Sequence, residues 1–325
     1  MRNYLLILLL FFTACTGAQT GSEAKMAMSD RWVSAQTPEW YDSSELDTLT
    51  VLTWNLEHFV DEYNSPYINH PRENAPGENM AERRELLAEA LQTLNADIVV
   101  FQEVESAPFV MTLAEDDFEV LGYQHFTALE SNDWYMNVVI MSRVPLLMTY
   151  SYSNFFTFRR VEDGETEFQN FTNNRMLSAE VAVNEDFHFL LTGVHLKAGR
   201  GEENARWRMG QIELLRDHYR LLLADDPDAR ILLAGDLNII PGDPEFELIL
   251  GEGTDVRFSD PLAGSPSYTH PADDPARQLD HILPNENMMA DLIPGSGAVA
   301  IPFSADSMRI ISDHLPVIMK FDTDH

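Results

Sequence analysis

The sequence predicts an α/β protein built as a four-layer sandwich, two mixed β-sheets flanked by helices, and three observations point there. Apolar runs of strand length recur between turn residues along most of the chain, two segments carry helical spacing, and several strands are apolar on both faces. The last feature is expected of a sheet covered on each side by another layer. A chain of 325 residues with 45% hydrophobic content has ample material for such a core, which excludes a disordered or fibrous protein.

The first element is MRNYLLILLLFFTAC, in which Arg2 supplies positive charge and Leu5 to Phe12 an unbroken apolar run. That run is too short to span a bilayer, which takes roughly 20 apolar residues, so residues 1–14 are expected to be a signal peptide. The stretch Phe12-Thr13-Ala14-Cys15 resembles the lipobox of bacterial lipoproteins. It implies cleavage before Cys15, acylation of that cysteine and membrane attachment through the lipid, with an ordinary secreted protein as the alternative. Thr16 after the cysteine, rather than Asp, favours the outer membrane or cell surface by the same resemblance. Residues 15–47 are rich in Gly, Ser, Thr and Ala without periodicity, as suits a flexible tether, and one domain is expected over 48–325. A single cysteine allows neither an internal disulfide nor a Cys-based zinc site.

Within the domain, strands are expected at LTVLTWNL, ADIVVFQEV, WYMNVVIMSR, MTYSYSNFFTF, MLSAEVAV, DFHFLLTGVHL, ARILLAGDLN, LDHILP and SDHLPVIMKF. Helices are expected over 81–95, where Leu86, Leu87, Ala90, Leu91 and Leu94 share a face, and over 204–224 through Ile212, Leu215, Tyr219 and Leu222. Residues 60–80 form a long connection rich in Asn, Pro and Glu, of the kind that borders a site or is a plain solvated insertion. YSYSNFFTF reads as a core strand, with an exposed apolar hairpin that enters membranes as the alternative.

Charge sets a condition on function. With 53 Asp+Glu against 21 Lys+Arg, the formal charge of −32 repels polyanions at long range, so any phosphate chemistry needs borrowed positive charge. Neither G-x-S-x-G nor H-E-x-x-H nor a P-loop occurs, which leaves serine-hydrolase, zinc-protease and P-loop NTPase functions without a motif.

Apolar strands here stop repeatedly at carboxylates, amides and imidazoles. Asp236 and Asn238 stand two apart at the end of ILLAGDLN, on one face by the period of two. Asn55 and Glu57 end the first strand, Gln102 and Glu103 the second and His195 a later one, while Asp280 with His281 and Asp313 with His314 recur near the C-terminus. His281, next to Asp280, points to the opposite face of a regular strand, as a packed histidine would. Any one of these could be a capped strand end.

Taken together, TWNLEHF, DIVVFQEV, NVVIMSR, GVHLKAG, AGDLNIIPGD, RQLDHIL and SDHLPV resemble, in order and spacing, the endonuclease/exonuclease/phosphatase superfamily over Leu49 to Phe321. This resemblance implies the deoxyribonuclease I-like sandwich and a metal-dependent phosphoester hydrolase. It further implies Glu103 as main ligand of a divalent metal, Mg²⁺ first and Mn²⁺ or Ca²⁺ as alternatives, with Asn55 beside it and Asp313 nearby. Asp280 would orient His314, which acts as base or as cationic phosphate contact. Asp236 is the alternative base, Asn238 positions phosphate and nucleophile, and His195 touches the phosphate near the leaving group. Arg175 and Tyr268 would contact substrate, and His58 could line the cleft. The substrate expected is nucleic acid, cleaved by a monomer, with Arg143, Arg175, Lys197, Arg200, Arg206 and Arg208 as donors to flanking phosphates. A phospholipid or phosphomonoester substrate, or a binding lipoprotein without catalysis, are the other functions considered.

Overall fold

The computed structural model describes residues 46–61, 63, 80–129, 136–153, 155–160, 165–171 and 175–324. Cys15, the signal segment and most of the tether and of the 60–80 connection lie outside the described residues.

Each of the two main sheets is centred on a parallel pair. In the first, β1 (Thr48–Phe59) runs parallel to β2 (Ile98–Val104), and β4 (Asn137–Ser142), β3 (His125–Ala128), β13 (Val317–Asp322) and β12 (Ala298–Val299) extend it antiparallel in the order β12-β13-β1-β2-β4-β3. In the second, β9 (His188–His195) runs parallel to β10 (Ile231–Asp236), with β11 (Asp280–Pro284), β8 (Met176–Ala182) and β5 (Leu146–Ser151) completing the order β11-β10-β9-β8-β5. Parallel pairing brings the C-terminal ends of both central strands to the same edge of their sheet.

Neighbouring residues of one strand enter different cores, which is how a strand apolar on both faces is used. Val51, Val100 and Ile140 point between the sheets, against Leu177, Ala179, Leu191, Leu232, Ala234 and Ile282 of the second sheet. Leu52, Val99 and Met141 point outward, to a layer formed by α1 (Met80–Leu94), α2 (Ala107–Asp116) and α6 (Ala305–Ile311), through residues such as Leu87, Leu91, Val110, Leu113, Met308 and Ile311. The outer face of the second sheet carries α3 (Glu202–Asp225), joined by a buried chain from Ser178 and Thr192 through the Tyr152 hydroxyl to His218 Nδ1, each link 2.6–2.7 Å. α4 (Pro244–Leu250) packs on α3, and α5 (Glu286–Ala290) follows β11. The observed architecture is thus helices, sheet, sheet, helices.

The segment read as one core strand over MTYSYSNFFTF departs from expectation. It divides into β5, paired in the second sheet, and β6 (Phe156–Arg160), paired only with β7 (Thr166–Phe171) in a two-stranded ribbon. The ribbon is fastened to α3 by Gln169, which donates to the carbonyls of Arg206 and Trp207. Phe156 and Phe158 are half exposed and pack around Phe168, 69% exposed, so aromatic composition here marks a surface rather than a core.

Candidate active site

Four strand ends meet. β1 supplies Asn55, β2 Glu103, β9 His195 and β10 Asp236, all from the parallel pairs and all at C-terminal ends. Gly193, two residues before His195, lets the sheets close on each other there: a Cβ at that position would meet Val138 at 2.8 Å and Val100 at 3.0 Å.

The ladder breaks where the side chains must turn inward. The β1–β2 register shifts between Asn55 and Phe59, and Glu57, His58 and Glu103 all have positive φ (45°, 53° and 58°). Asn238 does too, at 53°. Non-glycine residues in this region carry a conformational cost and cluster where a structure must aim a side chain. Gly235, with φ 145°, precedes Asp236; a Cβ there would lie 2.0 Å from the Val194 carbonyl oxygen, so only glycine admits the bend that presents the carboxylate.

The resulting cluster is acidic and buried. Asn55 Nδ2 donates to Glu103 Oε1 at 3.3 Å and to Asp236 Oδ2 at 3.0 Å, bridging the two sheets. His195 Nε2 faces the same oxygens at 3.5 and 3.7 Å, and His58 Nε2 lies 3.8 Å from Glu103 Oε2. Asn238 donates its backbone N–H to Asp236 Oδ1 at 2.8 Å and its amide to Oδ2 at 3.2 Å. Burial raises Glu103 to about 7 and Asp236 to about 6, with mutual carboxylate repulsion adding to the former. Burial holds His195 well below its ordinary value, hence neutral.

The second half arrives on the loop between α6 and β13. Ser312 donates to the Asn55 carbonyl at 2.6 Å, and the Trp54 indole donates to the His314 carbonyl at 2.9 Å, so this loop is tied to the end of β1. His314 Nδ1 pairs with Asp280 Oδ2 at 2.7 Å, and Nε2 lies 3.9 Å from Asp236 and 3.8 Å from Asp313. Burial alone would lower this imidazole, but the carboxylates of Asp280, Asp236 and Asp313 raise it to about 10. Burial would raise the Asp313 carboxyl, yet a hydrogen bond from His270 and the charges of His314 and Arg309 hold it at about 2.

Thus Asn55, Glu103, His195, Asp236, Asn238, Asp280, Asp313 and His314 all come together, as does the mostly buried Arg175, which feels the charges of Glu103 and Asp236. Tyr268 is 47% exposed and, among the described residues, has no hydrogen bond to the cluster. Its neighbour Thr269 is fully buried and accepts from the backbone N–H groups of Leu279 and Asp280, fixing the start of β11. His281 packs away from the site, toward Ile239 and Gln278. His270 is the residue that sequence reasoning missed: Nε2 lies 3.5 Å from Asp313 Oδ2 and its ring crosses that of His314 at 4.8 Å. It stands in SYTH beside Tyr268, but nothing in the sequence marks its closeness to Asp313.

The donor set suits a hard cation. The side chains offer mainly oxygen, the carboxylates stand close enough to repel each other, and Asp280 Oδ1 is buried with no hydrogen-bond partner. Two groups, Asp236/Asp280/His314 and His270/Asp313/His314, each place three ligand atoms within 4.8 Å of one another. Glu103 stands outside both and is linked to Asp236 of the first through Asn55 and His195.

Of the proposed phosphate donors, three are paired with carboxylates: Arg143 with Asp97, Arg206 with Glu202 at the surface, and buried Arg208 with Glu245.

A two-sheet sandwich with acids, amides and an Asp–His pair at the ends of its central strands defines a metal-dependent phosphoester hydrolase. More particularly, the chain belongs to the endonuclease/exonuclease/phosphatase family, whose model matches residues 52–314. No curated protein sequence matches it. Among solved structures, it is similar to D. rerio TDP2 complexed with single strand DNA product (19% identity, 85% of this chain and 99% of that one, TM-score 0.55). It is also similar to an AP endonuclease from Archaeoglobus fulgidus (17%, 85% and 100%, 0.55) and to a mannosyl-6-phosphatase from Bacteroides thetaiotaomicron (17%, 83% and 98%, 0.53). At these identities the likeness shows the fold.

Proposed function

We propose that the protein is an exported, lipid-anchored phosphodiesterase that hydrolyses nucleic acid by in-line attack of water. One observation carries the catalytic part: Asn55, Glu103, His195 and Asp236 from both sheets converge on the Asp280–His314 pair. The lipid anchor rests on the sequence around Cys15, with residues 15–47 as tether. D. rerio TDP2, complexed with single strand DNA product, and the AP endonuclease support a nucleic-acid substrate.

Glu103, Asn55 and Asp313 hold the cation in this scheme, Mg²⁺ by preference for hard oxygen ligands and Mn²⁺ or Ca²⁺ as alternatives. When bound, the cation supplies positive charge beside the phosphate. Asp236, oriented by three hydrogen bonds and with its carboxyl raised toward neutrality, takes the proton from the attacking water. Asn238 positions that water and the phosphate. Asp280 keeps His314 an imidazolium, which stabilises the equatorial phosphate charge. Neutral His195 donates a hydrogen bond toward the leaving oxygen, and Arg175 adds a cation to the phosphate.

The aromatic ribbon favours a second function, attack on phospholipid headgroups, because Phe158 and Phe168, 48% and 69% exposed, present apolar surface to solvent. One experiment addresses both. Purified protein is offered plasmid DNA, RNA, sphingomyelin, phosphoinositides and a generic bis-phosphodiester, with Mg²⁺, Mn²⁺, Ca²⁺ or EDTA. The expected result is cation-dependent cleavage of nucleic acid, abolished in folded Asp236→Ala and His314→Ala. Turnover that survives EDTA and both substitutions refutes the mechanism, and preference for lipid replaces the substrate. Cys15→Ser should move the protein out of the membrane fraction; retention there removes the anchor.

A further inference from the structure

Adjoining the catalytic cluster is a cavity of about 530 Å³ whose wall includes Asn238, Ile240, Leu279, Arg200 and Arg277. It abuts the cluster twice. Asn238, in its wall, also contacts Asp236, and Leu279 immediately precedes Asp280. Arg277 donates to His270 Nδ1 at 2.6 Å, and His270 Nε2 lies 3.5 Å from Asp313. Because Arg277 can only donate, the His270 tautomer is fixed with its proton on Nε2, toward Asp313.

The two arginines differ from most others in this acidic chain, of which Arg83 and Arg216 donate to buried backbone carbonyls. Arg84, Arg143, Arg206, Arg208, Arg220, Arg230, Arg257 and Arg309 each pair with a carboxylate. Arg200 is exposed and Arg277 half-buried, and neither has a carboxylate within ion-pair distance among the described residues, although acids outnumber bases 53 to 21. Of the three acids of the same cavity, Glu245 pairs with Arg208 and Glu202 with Arg206, while Asp243 accepts from the backbone N–H of Ile240. Two guanidinium groups without carboxylates, facing one cavity beside a phosphoester site, suit an anionic ligand, for which arginine offers paired planar donors. Ile240, 39% exposed, gives the cavity an apolar wall on which a sugar or base can rest.

We propose that this cavity is a second-phosphate subsite: Arg200 and Arg277 hold the phosphate next to the scissile one, so the enzyme selects a run of phosphodiesters over an isolated ester. The proposal rests on the nucleic-acid function above and names how that substrate is recognised. It also reconciles a repelling net charge with a polyanionic substrate, since recognition is confined to short-range cations.

The test measures binding to Mg²⁺-loaded full chain of a hydrolysis-resistant phosphorothioate dithymidine, with a terminal phosphate at the 5′ end, at the 3′ end, or absent. One of the phosphorylated ligands should bind about tenfold tighter than the unphosphorylated one, the size expected of a charge-assisted contact. Arg200→Gln and Arg277→Gln should each reduce that gain to less than about threefold, while unphosphorylated dithymidine binds Arg200→Gln as it binds wild type. A purely structural effect on His270 would weaken all three ligands equally. The subsite is overturned if neither terminal phosphate improves binding to wild type, or if the gain survives both substitutions. Failure of wild type to hydrolyse any nucleic acid would instead sink the proposed function, and the binding comparison still judges the cavity.

Discussion

Asp280 is the residue on which the proposed chemistry turns without touching the substrate. Its backbone is fixed by Thr269, its side chain is fully buried, and its one strong partner is His314. Asp280→Asn keeps the shape and removes the charge, so kcat should fall by about 10²–10³-fold with little change in KM, as for loss of an oriented electrostatic contact to the transition state. A pH signature separates this from general damage. His314 is raised from 6.5 to about 10 in the metal-free fold, so its contribution to stability is full below about pH 6.5 and is lost as pH rises through 10. Denaturant unfolding in EDTA should show that decline in wild type and a flattened one in Asp280→Asn; parallel profiles would remove the charge coupling. The pair itself was legible in LDHIL and SDHLPV, through the family resemblance that those motifs carry. His270 was not, because its closeness to Asp313 is created by residues more than forty positions apart folding into one loop cluster.

Arg83 shows how an element serves the site from outside it. On α1 it belongs to a charged run, ERRE, yet it stands four residues before Leu87, on the apolar face of the helix, and is buried. Its guanidinium donates to the carbonyls of Leu56, Glu57, His58 and Ile311 and lies over the Phe59 ring at 4.8 Å. It therefore clasps the strained end of β1, where Asn55 and the positive-φ pair sit, to the end of α6, from which Asp313 and His314 emerge. Arg83→Met should destabilise the fold by about 2–4 kcal/mol, since several buried carbonyls lose a charged donor at once. Activity measured under conditions where the variant remains folded should also fall at least tenfold, and Arg83→Lys, a point charge without the planar fork, should restore little of either. Unchanged activity in the folded variant would leave Arg83 a purely structural residue. The helices and central strands were legible because period and two-sided apolarity survive in a single sequence. β6 was misread because FFTF has the composition of a core strand, and only its position on a two-stranded ribbon, outside the main sheets, exposes it.

At the scale of the whole molecule, a formal charge of −32 and a buried knot of carboxylates pose one electrostatic problem twice. The metal-free fold meets it by protonation: Glu103 is raised to about 7 and Asp236 to about 6, chiefly by burial, so the folded state binds protons that the unfolded chain has released. Stability therefore declines as pH climbs from the ordinary carboxylate range through about 7, where these groups ionise against each other. A divalent cation replaces those protons, and cation and proton compete for the same oxygens. Thermal unfolding with and without Mg²⁺ should thus show a large rise in Tm at pH 8 and a small one at pH 5. At a cation concentration about 100 times its dissociation constant the stabilisation is about 2.7 kcal/mol, which corresponds to a Tm shift of roughly 5 °C for a domain of this size. Glu103→Gln should raise the metal-free Tm at pH 8, because a buried repelling charge is gone, while removing most of the response to Mg²⁺. An equal response at both pH values, or one that persists in Glu103→Gln, would show that the ion binds the acidic exterior and that the strand ends gathered by the two sheets do not hold it.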